Sequence, residues 1–138
     1  ILNATARLNQ PYKTIELLTD RTLTINETAE DLLKINEERK EITKVQSEWA
    51  FKIAQEQILE KNPPILLIYN PEFHLGILGL LANRVVDSFG RTCLVMTENK
   101  GVIKGSGRTP GDVNLKHLMD ECQHLLTGGG HQMAVGFT

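Results

Sequence analysis

Apolar residues are scattered in runs of at most three through the first 62 positions of the chain, and they gather into longer runs in the remainder. Between residues 26 and 60 there is no glycine or proline, and Glu, Lys, Ala, Leu and Gln, all good helix formers, dominate. Thr24 and Glu27 have the spacing of a helix-capping box, and Asn62-Pro-Pro ends the segment. We therefore predict one long helix, and its thin apolar stripe indicates a largely solvated element between two bodies. A shorter helix is predicted from Pro11 to about Asp20.

The second half opens with a continuous apolar run at residues 65–69, between Pro64 and Asn70-Pro71. Such a run predicts a central strand that is buried on both faces. Residues 76–89 have the apolar periodicity of a helix, and residues 92–96 form a second apolar run. A strand, a helix and a strand within about 30 residues predict a βαβ unit with parallel strands.

Three further elements are predicted towards the end of the chain. Residues 102–107 indicate a strand after a turn at 98–101, and Asn114 is placed to cap a helix that is apolar on one face as far as Leu126. The glycines 128–130 predict the end of that helix in a left-handed conformation. Residues 134–137 predict a last strand. The fold class is α/β, with a mainly parallel or mixed sheet flanked by helices and preceded by a long connecting helix.

Composition limits the classes of function. The formal net charge is −2, so a nucleic-acid site has to be local. No apolar run approaches the roughly 18 residues of a membrane span, so no membrane partner is expected. Cys93 and Cys122 lie among apolar residues, which favours reduced thiols in a cytoplasmic protein. The sequence has none of the clustered carboxylates and histidines that hold two catalytic cations, so we expect this chain to bind no metal or other cofactor.

The most specific chemical feature is Gly128-Gly129-Gly130-His131. Consecutive glycines allow positive φ angles, and their N–H groups can then point into one concavity that binds an anion such as phosphate. His131 would add a donor at the rim. The competing interpretation, a helix terminator only, explains one glycine better than three.

Two weaker features accompany it. In Gly105-Ser106-Gly107-Arg108, alternation along a strand puts Ser106 and Arg108 on one side, where a guanidinium and a hydroxyl suit phosphate oxygens, while the glycines leave the opposite side bare. An ordinary surface arginine is the alternative. His74 and Gly76 stand where a parallel strand ends and a helix begins, a common place for ligands in α/β sheets.

These patches, in this order, resemble the DHHA1 domain of the DHH phosphoesterase superfamily. The matching segments are Phe-His-Leu-Gly-Ile-Leu-Gly-Leu-Leu-Ala-Asn-Arg (73–84), Lys-Gly-Ser-Gly-Arg (104–108) and Gly-Gly-Gly-His-Gln-Met-Ala-Val-Gly-Phe (128–137). Upstream, Leu2-Asn-Ala-Thr-Ala-Arg-Leu8 and Asn36-Glu-Glu-Arg-Lys40 are similar to segments of RecJ-type single-strand-specific exonucleases. Ala6 departs from the glycine that is usual there, and Phe73 from the usual tryptophan.

The resemblance implies a two-lobed enzyme of DNA repair and recombination that trims single-stranded DNA from its 5′ end. The expected partner is single-stranded DNA or short RNA. A DHH lobe would bind Mn²⁺ or Mg²⁺, and the DHHA1 lobe would hold the strand opposite it through Ser106, Arg108, Gly128, Gly129, Gly130, His131, His74 and Gly76. His131 would assist catalysis near the scissile phosphate. Residues 1–25 would end the preceding DHH domain, residues 26–62 would form the connecting helix, and residues 63–138 would form the DHHA1 domain.

Two other functions stay open. An oligoribonucleotide or cyclic-dinucleotide phosphodiesterase of the same superfamily would share the Gly-Gly-Gly-His segment, although its connector is usually shorter. A non-catalytic nucleic-acid-binding scaffold could have kept this lobe and lost the chemistry. The chain has no initiator Met and stops directly after an apolar segment, so we expect an excised piece without the catalytic lobe.

Overall fold

The structure is a computed structural model that describes residues 1–19 and 25–138. The chain divides into two compact units, residues 1–45 and residues 46–138. Asp20, the predicted end of the short helix, and Thr24, the start of the predicted capping box, lie outside the described residues. No helix of the two described ranges is long and apolar enough to cross a membrane. The predicted domain boundaries at residues 25 and 62 stay predictions.

Helices make up the first unit: α1 at Leu2–Arg7, α2 at Pro11–Thr19 and the first part of α3, which spans Ile25–Glu60. The α2 helix begins at Pro11, as predicted. The α1 helix lies where the sequence has little periodic signal. Its Thr5 hydroxyl is 2.7 Å from that of Thr14, and Thr14 Oγ1 donates to the carbonyl of Leu2 at 3.0 Å. These hydrogen bonds join α1 to α2.

The long helix α3 confirms the predicted element, and it is continuous from Ile25 to Glu60. Its buried side coincides only in part with the predicted apolar stripe. Leu32 and Asn36 of the stripe are buried, whereas its Leu33, Val45 and Trp49 are exposed. The buried positions are related by steps of three, four or seven residues and are largely small or polar: Leu32, Ile35, Asn36, Thr43, Gln46, Ser47, Ala50 and Ala54. The helix is therefore less solvated than a hydrophobic count suggests.

The second unit is built on one five-stranded sheet in the order β1-β2-β3-β5-β4. Its strands are β1 Ile65–Tyr69, β2 Thr92–Asn99, β3 Val102–Arg108, β4 Gly128–His131 and β5 Ala134–Phe137. The β1–β2 pair is parallel, as the βαβ pattern predicts, and the other three pairs are antiparallel. Of the two sheet types left open, the mixed one is present.

The β1 strand lies at an edge of the sheet, so its predicted central position is wrong. Leu66 and Ile68 are buried, whereas Leu67 is 53% and Tyr69 41% exposed. The side-chain amide of Gln57 in α3 pairs with this edge: its Nε2 donates to the Leu67 carbonyl at 2.5 Å, and its Oε1 accepts from the Leu67 N–H at 3.0 Å. A side chain thus satisfies backbone groups that a neighbouring strand would otherwise bind.

The helix predicted from Gly76 begins later, at Leu78. A 3₁₀ turn at Leu75–Ile77 precedes α4, which spans Leu78–Phe89. The α4 helix packs against β2 and β3 on one face of the sheet. The opposite face of β3 and β5 packs against α5, Leu115–Glu121, through Leu115, Met119, Val135 and Phe137.

Two turns confirm sequence predictions. Lys100 and Gly101 both have positive φ angles, 53° and 77°, which is the conformation of a tight hairpin between β2 and β3. The Asn114 side chain accepts a hydrogen bond from the His117 N–H at 3.1 Å and caps α5. However, α5 ends at Glu121 rather than after Leu126.

The glycines 128–130 do not terminate a helix. They belong to β4, an edge strand that pairs with β5. Only Gly130 of the three has a positive φ angle, 149°. An anion-binding nest needs successive residues of alternating helical hand, whereas this segment is extended, so the predicted nest conformation is wrong.

Candidate functional site

Four of the eight predicted site residues lie on one face of the sheet, the face that α4 covers over β2 and β3. They are Ser106, Arg108, Gly129 and His131. The register of β3, β5 and β4 aligns two rows across these strands. The rows are Ser106, Gly136 and Gly129 in the first, and Arg108, Ala134 and His131 in the second. We call these six residues the platform. Residues opposite each other in antiparallel strands lie about 5 Å apart, so each row is about 10 Å long.

A hydroxyl and a guanidinium stand at the β3 side of the platform. Arg108 Nη1 donates to Ser106 Oγ at 3.0 Å and to the Gly107 carbonyl at 2.7 Å. Ser106 Oγ in turn donates to the Val135 carbonyl at 3.3 Å. Both side chains are half-buried. The predicted pairing of Ser106 with Arg108 is present, and the hydrogen bonds hold the guanidinium in a defined place.

Arg108 has a neutral thiol opposite it and a hydrogen-bonded turn after it. Cys93 lies opposite Arg108 in the register, and burial raises the pKa of its thiol to about 12, so it stays neutral at ordinary pH. After Arg108 the chain turns at Thr109. Hydrogen bonds from Thr92 and Thr109, 2.7 and 2.8 Å long, lower the pKa of Asp112 and tie this turn to β2.

The predicted bare side behind Ser106 and Arg108 is wrong, because Gly105 and Gly107 face the α5 core. A Cβ atom on Gly105 would lie 2.5 Å from Phe137 Cε2 and closer still to Cζ, and one on Gly107 would lie 2.7 Å from the Leu94 side chain. These two glycines make room for core side chains. Glycine is required at both positions for packing of the core, so these two residues do not indicate a ligand site.

The three glycines of β4 differ from one another in their surroundings. A Cβ on Gly128 would lie 2.5 Å from the Gly136 carbonyl oxygen, and one on Gly130 would lie 2.7 Å from Val135 Cα and closer still to the Ala134 carbonyl oxygen. A Cβ on Gly129 would meet nothing within 4 Å. Packing therefore explains Gly128 and Gly130, whereas nothing in the described residues requires glycine at 129.

Gly129 and Gly136 together give the platform a floor without side chains. Both are exposed, and they are direct partners in the β4–β5 register. Ser106 and Arg108 border this floor on one side, and the exposed His131 borders it at the end of β4. A ligand can approach the backbone here closely and still reach a guanidinium and a hydroxyl.

His74 lies on a separate loop before α4 and takes part in two of the three side-chain hydrogen bonds that hold this loop. Its Nδ1 accepts from the Gly76 N–H at 3.2 Å, so the neutral ring carries its proton on Nε2. The Gln46 amide brackets the loop: Oε1 accepts from the His74 N–H at 2.8 Å, and Nε2 donates to the Glu72 carbonyl at 3.0 Å. The Gly76 N–H, a predicted ligand donor, is thus engaged by His74.

The chain connects this loop to the platform through Gly79. Gly79 contacts Arg108. It is the fifth residue after His74, so the α-carbons of His74 and Gly79 cannot be more than about 18 Å apart. Gly136 and Gln46 are missing from the sequence prediction. Alternation along residues 134–137 could have indicated Gly136, but the contacts of Gln46 join distant segments and leave no local signal. Glycine at 79 does indicate close approach of another backbone or a ligand, although not the contact with Arg108.

Comparisons with known proteins point in one direction. A family model described as the DHHA1 domain matches residues 62–138. The single-stranded-DNA-specific exonuclease RecJ of Bacillus subtilis is 30% identical over 99% of this chain, and that of Haemophilus influenzae is 31% identical over 99%. The chain spans only 18% and 25% of those two proteins. The crystal structure of Thermus thermophilus RecJ in complex with Mg²⁺ superposes with a TM-score of 0.80 at 23% identity, covering 99% of this chain and 21% of that one.

Proposed function

Because this chain belongs to the DHHA1 domain family, we propose that it is the substrate-binding half of a RecJ-type exonuclease, which trims single-stranded DNA from its 5′ end. The similarity to exonucleases over 99% of the chain supports this context. A DHH lobe elsewhere in the protein would carry out hydrolysis, and this chain would hold the phosphates of the strand. Such an enzyme would work in repair and recombination in the cytoplasm.

The observation that carries the proposal is the platform. Ser106 and Arg108 supply a charge-assisted phosphate grip, and Gly129 and Gly136 leave the adjacent backbone open. A single strand has a phosphate at each nucleotide step, so it can place one phosphate at Arg108 while its sugar lies on the bare floor. The held guanidinium lowers the entropic cost of binding.

We assign two roles to the two sides of the platform. Arg108 with Ser106 would select the 5′-terminal phosphate, because a terminal phosphate carries one more negative charge than an internal one. Gly128, Gly129 and Gly130 with His131 would face the scissile phosphate, where His131 would donate a hydrogen bond and assist the reaction. His74, through its Nε2–H, and the adjoining Gly76 segment would contact a further phosphate.

Divalent metal would be bound outside this chain. Within residues 1–19 and 25–138 there is no group of three or more His, Cys, Asp or Glu side chains that could hold a metal ion. The residues of the platform are an arginine, a serine, a histidine and small residues, which suit an anion rather than Mg²⁺ or Mn²⁺. The metal would supply an activated water in the DHH lobe, and the residues of this chain would position the strand for it.

The length of α3 favours the exonuclease over a phosphodiesterase of short oligoribonucleotides or cyclic dinucleotides. At 36 residues and about 1.5 Å per residue, this connector is about 54 Å long, whereas those enzymes usually have shorter ones. If a cyclic dinucleotide competes with single-stranded DNA at equal concentration, the phosphodiesterase is the better assignment. The non-catalytic scaffold would be favoured by a complete gene whose upstream region lacks a DHH metal site.

The first test is direct binding. We expect the purified chain to bind single-stranded DNA weakly and in a salt-sensitive manner, with a slope that corresponds to about one to three phosphates, because few basic groups face the platform. Fluorescence anisotropy of a labelled oligonucleotide at several salt concentrations measures the slope. Absence of binding at low salt and high protein concentration would contradict the phosphate-grip assignment.

A second test concerns activity. We expect the chain alone to release no nucleotides from single-stranded DNA, with or without Mn²⁺, because its sequence lacks the ligand cluster of a two-metal nuclease. Gel analysis of end-labelled DNA after long incubation measures this. If a metal-dependent nuclease activity copurifies with the chain through several columns, the assignment of hydrolysis to the DHH lobe alone is wrong.

A further inference from the structure

Gly79, a residue outside the platform, stands directly over it. It is the second residue of α4, and its α-carbon faces β3. A Cβ atom at this position would lie 2.9 Å from Arg108 Nη2, 3.6 Å from Arg108 Cζ and 3.4 Å from Ser106 Oγ. Since real Cβ atoms essentially never approach other atoms within 3.0 Å, the guanidinium occupies space that any other residue at 79 would fill.

Neither local conformation nor helix stability explains glycine at this position. Gly79 has no positive φ angle, so an L-residue could adopt its backbone conformation. Glycine also weakens a helix relative to alanine. Glycine at 79 therefore makes the helix less stable than alanine would. The structural reason for glycine is the close contact with Arg108, which a side chain would prevent.

We propose that Gly79 is a positioning residue for the platform: its missing side chain lets α4 lie against the Arg108 guanidinium and fixes that group for a substrate phosphate. The inference rests on the proposed function in naming phosphate as the ligand. Arg108 is held by Ser106 Oγ and the Gly107 carbonyl on one side and by the α4 backbone at Gly79 on the other. A side chain at 79 pushes the guanidinium away from this place.

A double-mutant cycle tests the proposal with four proteins: the wild type, Gly79→Ala, Arg108→Ala and the double variant. The first readout is affinity for matched single strands with a 5′-phosphate or a 5′-hydroxyl at low salt. We expect Gly79→Ala to weaken binding of the 5′-phosphorylated strand by about 3- to 30-fold and to reduce the preference for this strand over the 5′-hydroxyl strand. An effect of this size is typical of the coupling between two residues in contact. In the Arg108→Ala background the same change should alter affinity less than about twofold.

The second readout is thermal unfolding, which requires no ligand. Gly79→Ala should raise the melting temperature in the Arg108→Ala background, because alanine favours the helix and the obstructing guanidinium is gone. In the wild-type background the melting temperature should fall or stay unchanged. Ser88→Ala, an exposed change on the same helix, is the matched control, and it should leave DNA affinity unchanged in both backgrounds.

The outcomes separate this inference from the proposed function. Equal loss of affinity from Gly79→Ala in both backgrounds, or no loss in the wild type, overturns the positioning role. If the melting temperatures behave as expected but Arg108→Ala leaves DNA binding intact, the contact between Gly79 and Arg108 stands and the phosphate-grip function fails. If Gly79→Ala alone does not fold, the double variant decides: recovery of folding supports the steric contact, and continued misfolding overturns it.

Discussion

Replacing Arg108 by alanine is expected to weaken binding of a 5′-phosphorylated single strand by about 10- to 150-fold, which corresponds to about 1.5–3 kcal/mol for a lost charged hydrogen bond. Affinity for the 5′-hydroxyl strand should fall less, because that strand has no terminal phosphate for Arg108 to bind. Arg108 donates a hydrogen bond to Ser106, so its removal also takes one hydrogen-bond donor away from the Ser106 hydroxyl. Anisotropy titrations of matched oligonucleotides at low salt measure both affinities.

The control for general electrostatics is Lys104→Ala. Lys104 lies four residues before Arg108 on the same strand and therefore on the same face. Its removal deletes one positive charge and should weaken both strands by a similar, smaller factor. Arg108→Lys keeps the charge but loses the planar fork, so it should recover only part of the preference. If Arg108→Ala weakens both strands equally, Arg108 is a general backbone contact and the end-selecting pocket is wrong.

The placement of Ser106 beside Arg108 could be predicted from the sequence, because it depends only on alternation along one strand. Ser106 and Arg108 are two residues apart in an extended segment, and period-two alternation puts them on one face whatever the neighbouring strands are. The hairpin before them is also local, since Lys100 and Gly101 provide the positive φ angles of a tight turn. Strand alternation and tight turns depend on neighbouring residues, so they can be predicted from one amino-acid sequence.

The errors arise where a distant segment decides the outcome. A continuous apolar run at 65–69 is typical of a strand buried on both faces, but β1 is an edge strand whose backbone is paired by Gln57, ten residues earlier in α3. Likewise α3 buries small and polar side chains such as Thr43 and Ser47, which no hydrophobic count detects. Both outcomes depend on tertiary partners that sequence periodicity does not encode.

The glycine segment shows the same limit. Three adjacent glycines indicate either positive φ angles or close approach of another backbone, and these two causes cannot be told apart in the sequence. In β4 close approach dominates, since β5 leaves no room for a Cβ at Gly128 or Gly130. Gly129 is the exception, and it is the only one of the three glycines that belongs to the platform.

This difference gives the second large prediction. Gly130→Ala is expected to lower the free energy of unfolding by about 2–5 kcal/mol, since alanine is strained at φ 149° and its Cβ would collide with the Ala134 carbonyl. Gly129→Ala should change it by no more than about 0.5 kcal/mol, because the space is open and the residue is exposed. Urea denaturation of the two variants and the wild type measures both changes.

For DNA binding we expect the opposite order, with the larger effect from a substitution at Gly129. Gly129→Val places a larger side chain on the bare floor without touching the packed side of β4, so it should keep the wild-type stability and weaken DNA binding by about tenfold or more, the result of displacing a phosphate from one charged hydrogen bond. Gly130→Ala, at temperatures where it remains folded, should bind more tightly than Gly129→Val. Should Gly129→Val bind single strands as the wild type does, no ligand lies on the floor between Ser106 and His131, and the strand must cross the sheet elsewhere.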